Sequence, residues 1–157
     1  MLARQYDRAM EELRKVIDMD ANYAAAHSTL ALVYARKGMC EQAIGEFEKG
    51  ACLAGGHPAV ATSLKALTAY SYAICNRPDK ARALVDGISA EPAASSYLLA
   101  TIYASLGDHD RALNWLDRAC ADRDFQLVSL KVDPAFDPLR SSTRFRELLT
   151  RIGLSNW

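Results

Sequence analysis

Apolar positions along the chain recur at helical spacing, in blocks broken by turn residues, and four blocks share one phrase. Tyr6-Asp7-Arg8-Ala9, Cys40-Glu41-Gln42-Ala43, Pro78-Asp79-Lys80-Ala81 and His109-Asp110-Arg111-Ala112 each set an acid and a long polar residue before an alanine. Four positions later comes a large apolar residue: Leu13, Phe47, Val85 and Leu116. The alanines are 34, 38 and 31 residues apart. A period of this size marks a repeat array, whose units cannot bury their apolar faces alone and stack to do so.

With the phrases in register, further columns align. Ala31, Ala69 and Ala100 form one. Tyr34, Tyr72 and Tyr103 follow three residues on, and Gly38, Asn76 and Gly107 four after that. Gly, and next Asn, accepts the left-handed backbone that ends a helix. Each unit therefore reads as helix, tight turn, helix. The phrase's acid falls in the first turn of the second helix, at the positive end of its dipole. Pro78 suits a first helical position. The alanines mark where paired helices cross, and Val16, Gly50, Ile88 and Ala119 continue the buried stripe. Four extra residues between Phe47 and Ala69 predict a break at Gly55-Gly56-His57-Pro58 and a first helix one turn longer. Three fewer between Val85 and Ala100 predict a tight connection from Gly87 to Pro92.

The pattern Leu30-Ala31-x-x-Tyr34-x-x-x-Gly38-x-x-x-x-Ala43-x-x-x-Phe47 resembles a tetratricopeptide repeat. So does Leu99-Ala100-x-x-Tyr103-x-x-x-Gly107-x-x-x-x-Ala112-x-x-x-Leu116. The resemblance implies an all-α solenoid, a right-handed superhelix of helical hairpins. A partial repeat at 1–20 precedes units at about 21–56, 57–91 and 92–121, and a capping segment occupies 122–157. Two departures stand out: Ala21 and Gly55 lie near the places of the family's unit-ending proline, and Thr68 replaces a leucine.

The capping segment offers a short apolar helix over Asp124–Lys131 and two Asp-Pro turns holding Phe136 and Leu139. A last helix begins near Ser141 or Ser142 and ends at Gly153. The run Asp133-Pro-x-Phe-Asp137-Pro-Leu-Arg140, then Arg144-Phe145 and Gly153-Leu154, resembles the close of many bacterial tetratricopeptide proteins. Among these are regulators joined to winged-helix, protein-kinase or nucleotide-cyclase domains. A regulatory or sensory fragment of a larger bacterial signalling or transcription-regulator protein is therefore one reading of the chain.

The start of the chain is read as the middle of a unit, with residues 1–4 the stub of a first helix. The helix from about Tyr6 to Met19 then has an uncovered stripe. The expectation is either truncation from a longer polypeptide or homodimer pairing through Leu2, Tyr6, Met10, Leu13 and Ile17.

Composition narrows the chemistry. Lys plus Arg and Asp plus Glu both number 19, so the basic excess that neutralises phosphates is missing and nucleic acid is not an expected partner. No stretch approaches the roughly 20 apolar residues of a membrane span, and no signal peptide is read; a soluble cytoplasmic chain is expected. Cys40, Cys52, Cys75 and Cys120 show no metal-ligand spacing and read as buried free thiols.

The expected function is non-catalytic protein–protein interaction, without cofactor or metal. The inner column of the first helices reads Ser28, Leu32 and Arg36, then Tyr70 and Ile74, then Tyr97, Thr101 and Ser105. Such a groove suits an amphipathic helix or extended peptide; the competing reading packs some of these residues between units. The family's clamp for a C-terminal carboxylate is not expected, because Ser28, Thr29, Leu32, Ser63 and Leu67 supply no basic group. A minor thiol- or metal-dependent activity is the reading from another class, through a Cys40–His27 or Cys52–His57 dyad. His109 reads as a helix-start residue. The Asp133/Asp137 pair reads as local capping, and Trp115 and Trp157 as packing residues.

Overall fold

The computed structural model describes residues 2–54 and 58–154, and of residues 2–4 the backbone alone. All regular structure among the described residues is helical. The elements are α1 (Leu2–Met19), α2 (Ala24–Arg36), α3 (Cys40–Leu53), α4 (Pro58–Ile74), α5 (Pro78–Ile88), α6 (Ser96–Ser105) and α7 (His109–Ala121). Two 3-10 helices (Phe125–Ser129 and Pro134–Leu139) and α8 (Thr143–Arg151) complete the chain. The helices gather into two compact units, Met1–Ala93 and Ala94–Trp157. The last hairpin thus groups with the cap in the second unit.

Each hairpin turn is made as the columns predict. Gly38, Asn76 and Gly107 have φ of 72°, 56° and 76°. The next N–H, from Met39, Arg77 and Asp108, donates to the carbonyl of Tyr34, Tyr72 and Tyr103 at 2.9 Å. This is the six-to-one bond that closes a helix through a left-handed residue. The tyrosine ring is tied down as well: Lys80 lies 5.4 Å from the centre of Tyr72 and Arg111 5.4 Å from that of Tyr103. Both cations are the long polar residue of the repeated phrase, so that position couples a second helix back to its own first helix. At the crossings Ala31, Ala43, Ala69, Ala81, Ala100 and Ala112 are wholly buried, as are Phe47, Val85 and Leu116. A larger side chain at those alanines has nowhere to go.

In the first unit the hairpins are joined by a recurring set of contacts. Asp7 pairs with Lys37 at the following turn, and Glu41 with Arg77 at the next. Arg14 Nη2 donates to Tyr34 Oη at 2.9 Å, and Tyr72 Oη donates to Glu48 at 3.4 Å. Arg14 and Glu48 each stand five residues after a phrase alanine. Glu41, Asp79 and Asp110 lie in first turns, as expected. Asp7 does not, because residues 2–4 extend α1 instead of forming a separate stub.

Several expectations fail on α1 and on the linkers. Met10 is buried with Leu30, Tyr34, Ala35 and Ala43, and Leu13 and Ile17 pack against that cluster. Three of the five residues expected to pair two copies thus also make contacts within the chain, Leu13 and Ile17 while partly buried. Tyr6 is half-buried, and the side chain of Leu2 lies outside the described residues. Val16 is 38% exposed, unlike its column mates Gly50, Ile88 and Ala119, because α1 packs chiefly on α2. The tight connection at 87–92 is not found. Residues 89–95 make a long linker, and the three missing residues come off α6, which has 10 residues against 13 in α2. Ser95 sets that start by accepting from the Leu98 N–H. The extra turn in α4 is present, with 17 residues.

The cysteines are not four buried free thiols. Cys40 and Cys75 form a disulfide, with Cα atoms 5.7 Å apart; Cys52 is exposed and Cys120 half-buried.

In the second unit the cap closes over α6 and α7. Phe136, Leu139, Phe145 and Leu148 are buried. The Phe136 ring meets Tyr97 edge-on at 5.5 Å and stacks on Phe145 at 6.2 Å. The segment Asp124–Lys131 is only in part an apolar layer: Leu127 and Leu130 point inward, while Phe125 and Val128 are exposed.

Candidate partner-binding surface

The first helices of the first unit carry small and apolar residues toward an open groove. At the N-terminal ends of α2 and α4, Tyr23, Ala25, Ser28, Leu53, Val60 and Leu64 line a cavity of about 550 Å³. Behind it, Gly50 of α3 packs closely on α2. A Cβ there would stand 2.9 Å from Ser28 Oγ and 3.3 Å from the Ala24 carbonyl, so only glycine lets α3 approach α2 this closely. Ser28 is held by donating to that carbonyl at 2.8 Å. One wall comes from the extra turn of α4, which supplies Val60.

The expected inner column divides between the two units. Ser28 lines the groove. Leu32 is half-buried against Ala31, Phe47, Ala54 and Leu64. Arg36 is exposed, Tyr70 half-buried and Ile74 39% exposed. On α6 the expectation of an open column fails. Tyr97 is 5% and Thr101 6% exposed. Tyr97 Oη donates to Asp133 at 2.9 Å while its ring meets Phe136, so the cap covers it. Thr101 donates to the Tyr97 carbonyl at 2.9 Å, and half-buried Ser105 to the Thr101 carbonyl. The column misses Tyr23, Leu53, Val60 and Leu64, which sit at helix ends, outside the aligned positions. The extra turn of α4 is the signal that could have found Val60.

Several of the residues considered for chemistry have other partners. His27 is buried, with Nδ1 2.5 Å from Glu46 Oε2 and Nε2 3.0 Å from the Ala21 carbonyl. Burial pushes the Glu46 carboxyl up, but Lys49 and His27 outweigh it and hold its pKa below the ordinary value. Cys40 has no thiol to give a dyad, and His57 and Trp157 lie outside the described residues. Asp133 accepts from the Ala135 N–H, the local cap expected, whereas Asp137 accepts from Arg140 Nε. Arg118 lies 5.1 Å from the centre of Trp115. Among the described residues no three His, Cys, Asp or Glu side chains gather as metal ligands. No described helix is long and apolar enough to cross a membrane.

The family model for the tetratricopeptide repeat matches residues 93–121, the hairpin of α6 and α7. Residues 93–121 are a tetratricopeptide repeat, and the helical hairpins before them are consistent with an all-α fold of that type. Tetratricopeptide repeats generally mediate protein–protein interactions, and the fold is typically a non-catalytic scaffold. No curated protein and no solved structure matches the chain.

Proposed function

We propose that this chain is a non-catalytic interaction module that holds a partner's amphipathic helix or extended apolar peptide against α2 and α4. Ser28 contributes to the floor, and Leu32, Arg36, Tyr70 and Ile74 carry the contact toward the helix C-termini. The observation that supports this most is the open groove of about 550 Å³, lined by apolar and small side chains, with Val60 45% and Tyr23 51% exposed at its rim. Exposed apolar surface beside a concavity is where a monomeric chain gains by binding. The electrostatics agree, since the groove lining holds no charged side chain.

The test is selection of short random peptides on the purified chain, followed by titration against variants. Val60→Asp places a charge on the rim and, being exposed, costs at most about 0.5 kcal/mol of stability. Selected peptides should lose at least about tenfold in affinity, or 1.4 kcal/mol. Binders that ignore Val60→Asp and also Tyr23→Ala would sink this reading.

A further inference from the structure

We propose that Cys40 and Cys75 are a reversible thiol–disulfide site, modified by small thiols and disulfides, that locks α3 to α4. The chain already joins these antiparallel helices at one end, through residues 54–57. Cys40 is the first residue of α3 and Cys75 follows the last residue of α4, so the disulfide joins the other ends and closes the helix pair into a ring. The polar ties at that end are weak: Glu41 and Arg77 pair with side chains 71% and 38% exposed, and the Tyr72–Glu48 bond is long at 3.4 Å. Exposed ion pairs hold little. The covalent bond is therefore the dominant clamp there.

The joint is a local specialisation. In register with Cys40 stand Tyr6, Pro78 and His109, and in register with Cys75 stand Lys37 and Leu106. Both cysteines are half-buried, nearer to solvent than the sealed alanine crossings alongside.

Exchange balances without any metal or cofactor. A thiolate attacks Cys75 Sγ, the S–S bond breaks, and Cys40 leaves as thiolate at the start of α3, where the helix dipole favours negative charge. A second thiolate then displaces Cys75, giving two protein thiols and one small disulfide. Glutathione disulfide runs the sequence backwards. In an oxidising compartment such a bond persists, and in one poised by reduced glutathione it turns over.

The experiment uses the full chain in glutathione buffers of graded ratio, with thiols trapped by alkylation and counted by mass. The expected result is a reversible two-electron transition at Cys40 and Cys75. Reduction should raise amide exchange at least about tenfold in residues 40–44 and 71–77 and lower Tm by several degrees. The double variant Cys40→Ser/Cys75→Ser should match the reduced chain at every ratio, whereas Cys52→Ser/Cys120→Ser should titrate like the parent. The proposal is overturned if glutathione disulfide never forms the bond or if millimolar reduced glutathione never opens it in the folded chain. It is equally overturned if reduction leaves exchange in both segments unchanged. None of these readouts depends on a groove ligand.

Discussion

Ser28 in the first unit and Tyr97 in the second hold the same place in the repeat, three residues before the crossing alanines Ala31 and Ala100. One lines an open groove; the other is 5% exposed, bonded to Asp133 and capped by Phe136. The crossing, the turn and the tyrosine column are alike in both hairpins, so the repeat does not dictate this position. A small residue leaves room beside α2, and a large one gives the cap a surface to seize. Position in the repeat says where a side chain points, and its size says whether that direction stays open.

The second unit should be the one that fails most severely when its filling is removed. Phe136→Ala deletes a fully buried ring between Tyr97 and Phe145 and is expected to cost about 3–5 kcal/mol, read by urea or thermal unfolding. A smaller loss would mean that the cap collapses onto α6. The first unit should respond in binding instead. Ser28→Tyr copies the second unit's residue into the groove; peptides selected on the parent should lose at least about tenfold in affinity, measured by titration. Retained binding with a large fall in Tm would show that Ser28 is packing and not lining. Tyr97→Phe keeps the ring and removes the bond to Asp133, so a cost of about 1 kcal/mol is expected in the same unfolding experiment.

The smallest effect concerns acid. Asp117 stands five residues after its phrase alanine, as Arg14 and Glu48 do, and meets Arg144 and Arg151 of α8. Partial burial pushes its carboxyl up, but bonds from Arg151 and Arg144 outweigh this and hold the pKa below the ordinary 3.8. A carboxylate lowered on folding stabilises fully above that ordinary value, and the contribution is lost as pH falls through the lowered one. Asp117→Asn should therefore flatten stability against pH below about 4, with a difference no larger than about 1 kcal/mol. An unchanged acid slope would show that the arginines are solvated there.

The hairpins were legible because their signals are local: a left-handed Gly or Asn, a crossing alanine, an acid in a first turn. The long α4 was legible from four extra residues. The short α6 was not, because a three-residue deletion has no address until Ser95 caps the helix. Tyr97 was misplaced since the column describes one hairpin and says nothing of a cap arriving from 36 residues away. The groove lining was only partly legible for the same reason, with Leu53 and Val60 reaching Ser28 from flanking helices. The Cys40–Cys75 bond had a readable precedent in the phrase acids, which meet the following turn at Asp7–Lys37 and Glu41–Arg77. Spacing along the chain hides that neighbourhood, whereas register between units reveals it.

Gly50 lies behind the groove, on α3, where no bound peptide would reach it. A single methyl at that position would stand 2.9 Å from the Ser28 hydroxyl, which would have to move. The shape offered to a partner is therefore adjustable from the rear, by residues that never touch what is bound. Changes of ligand preference in this chain can arise on α3 with the lining itself left intact.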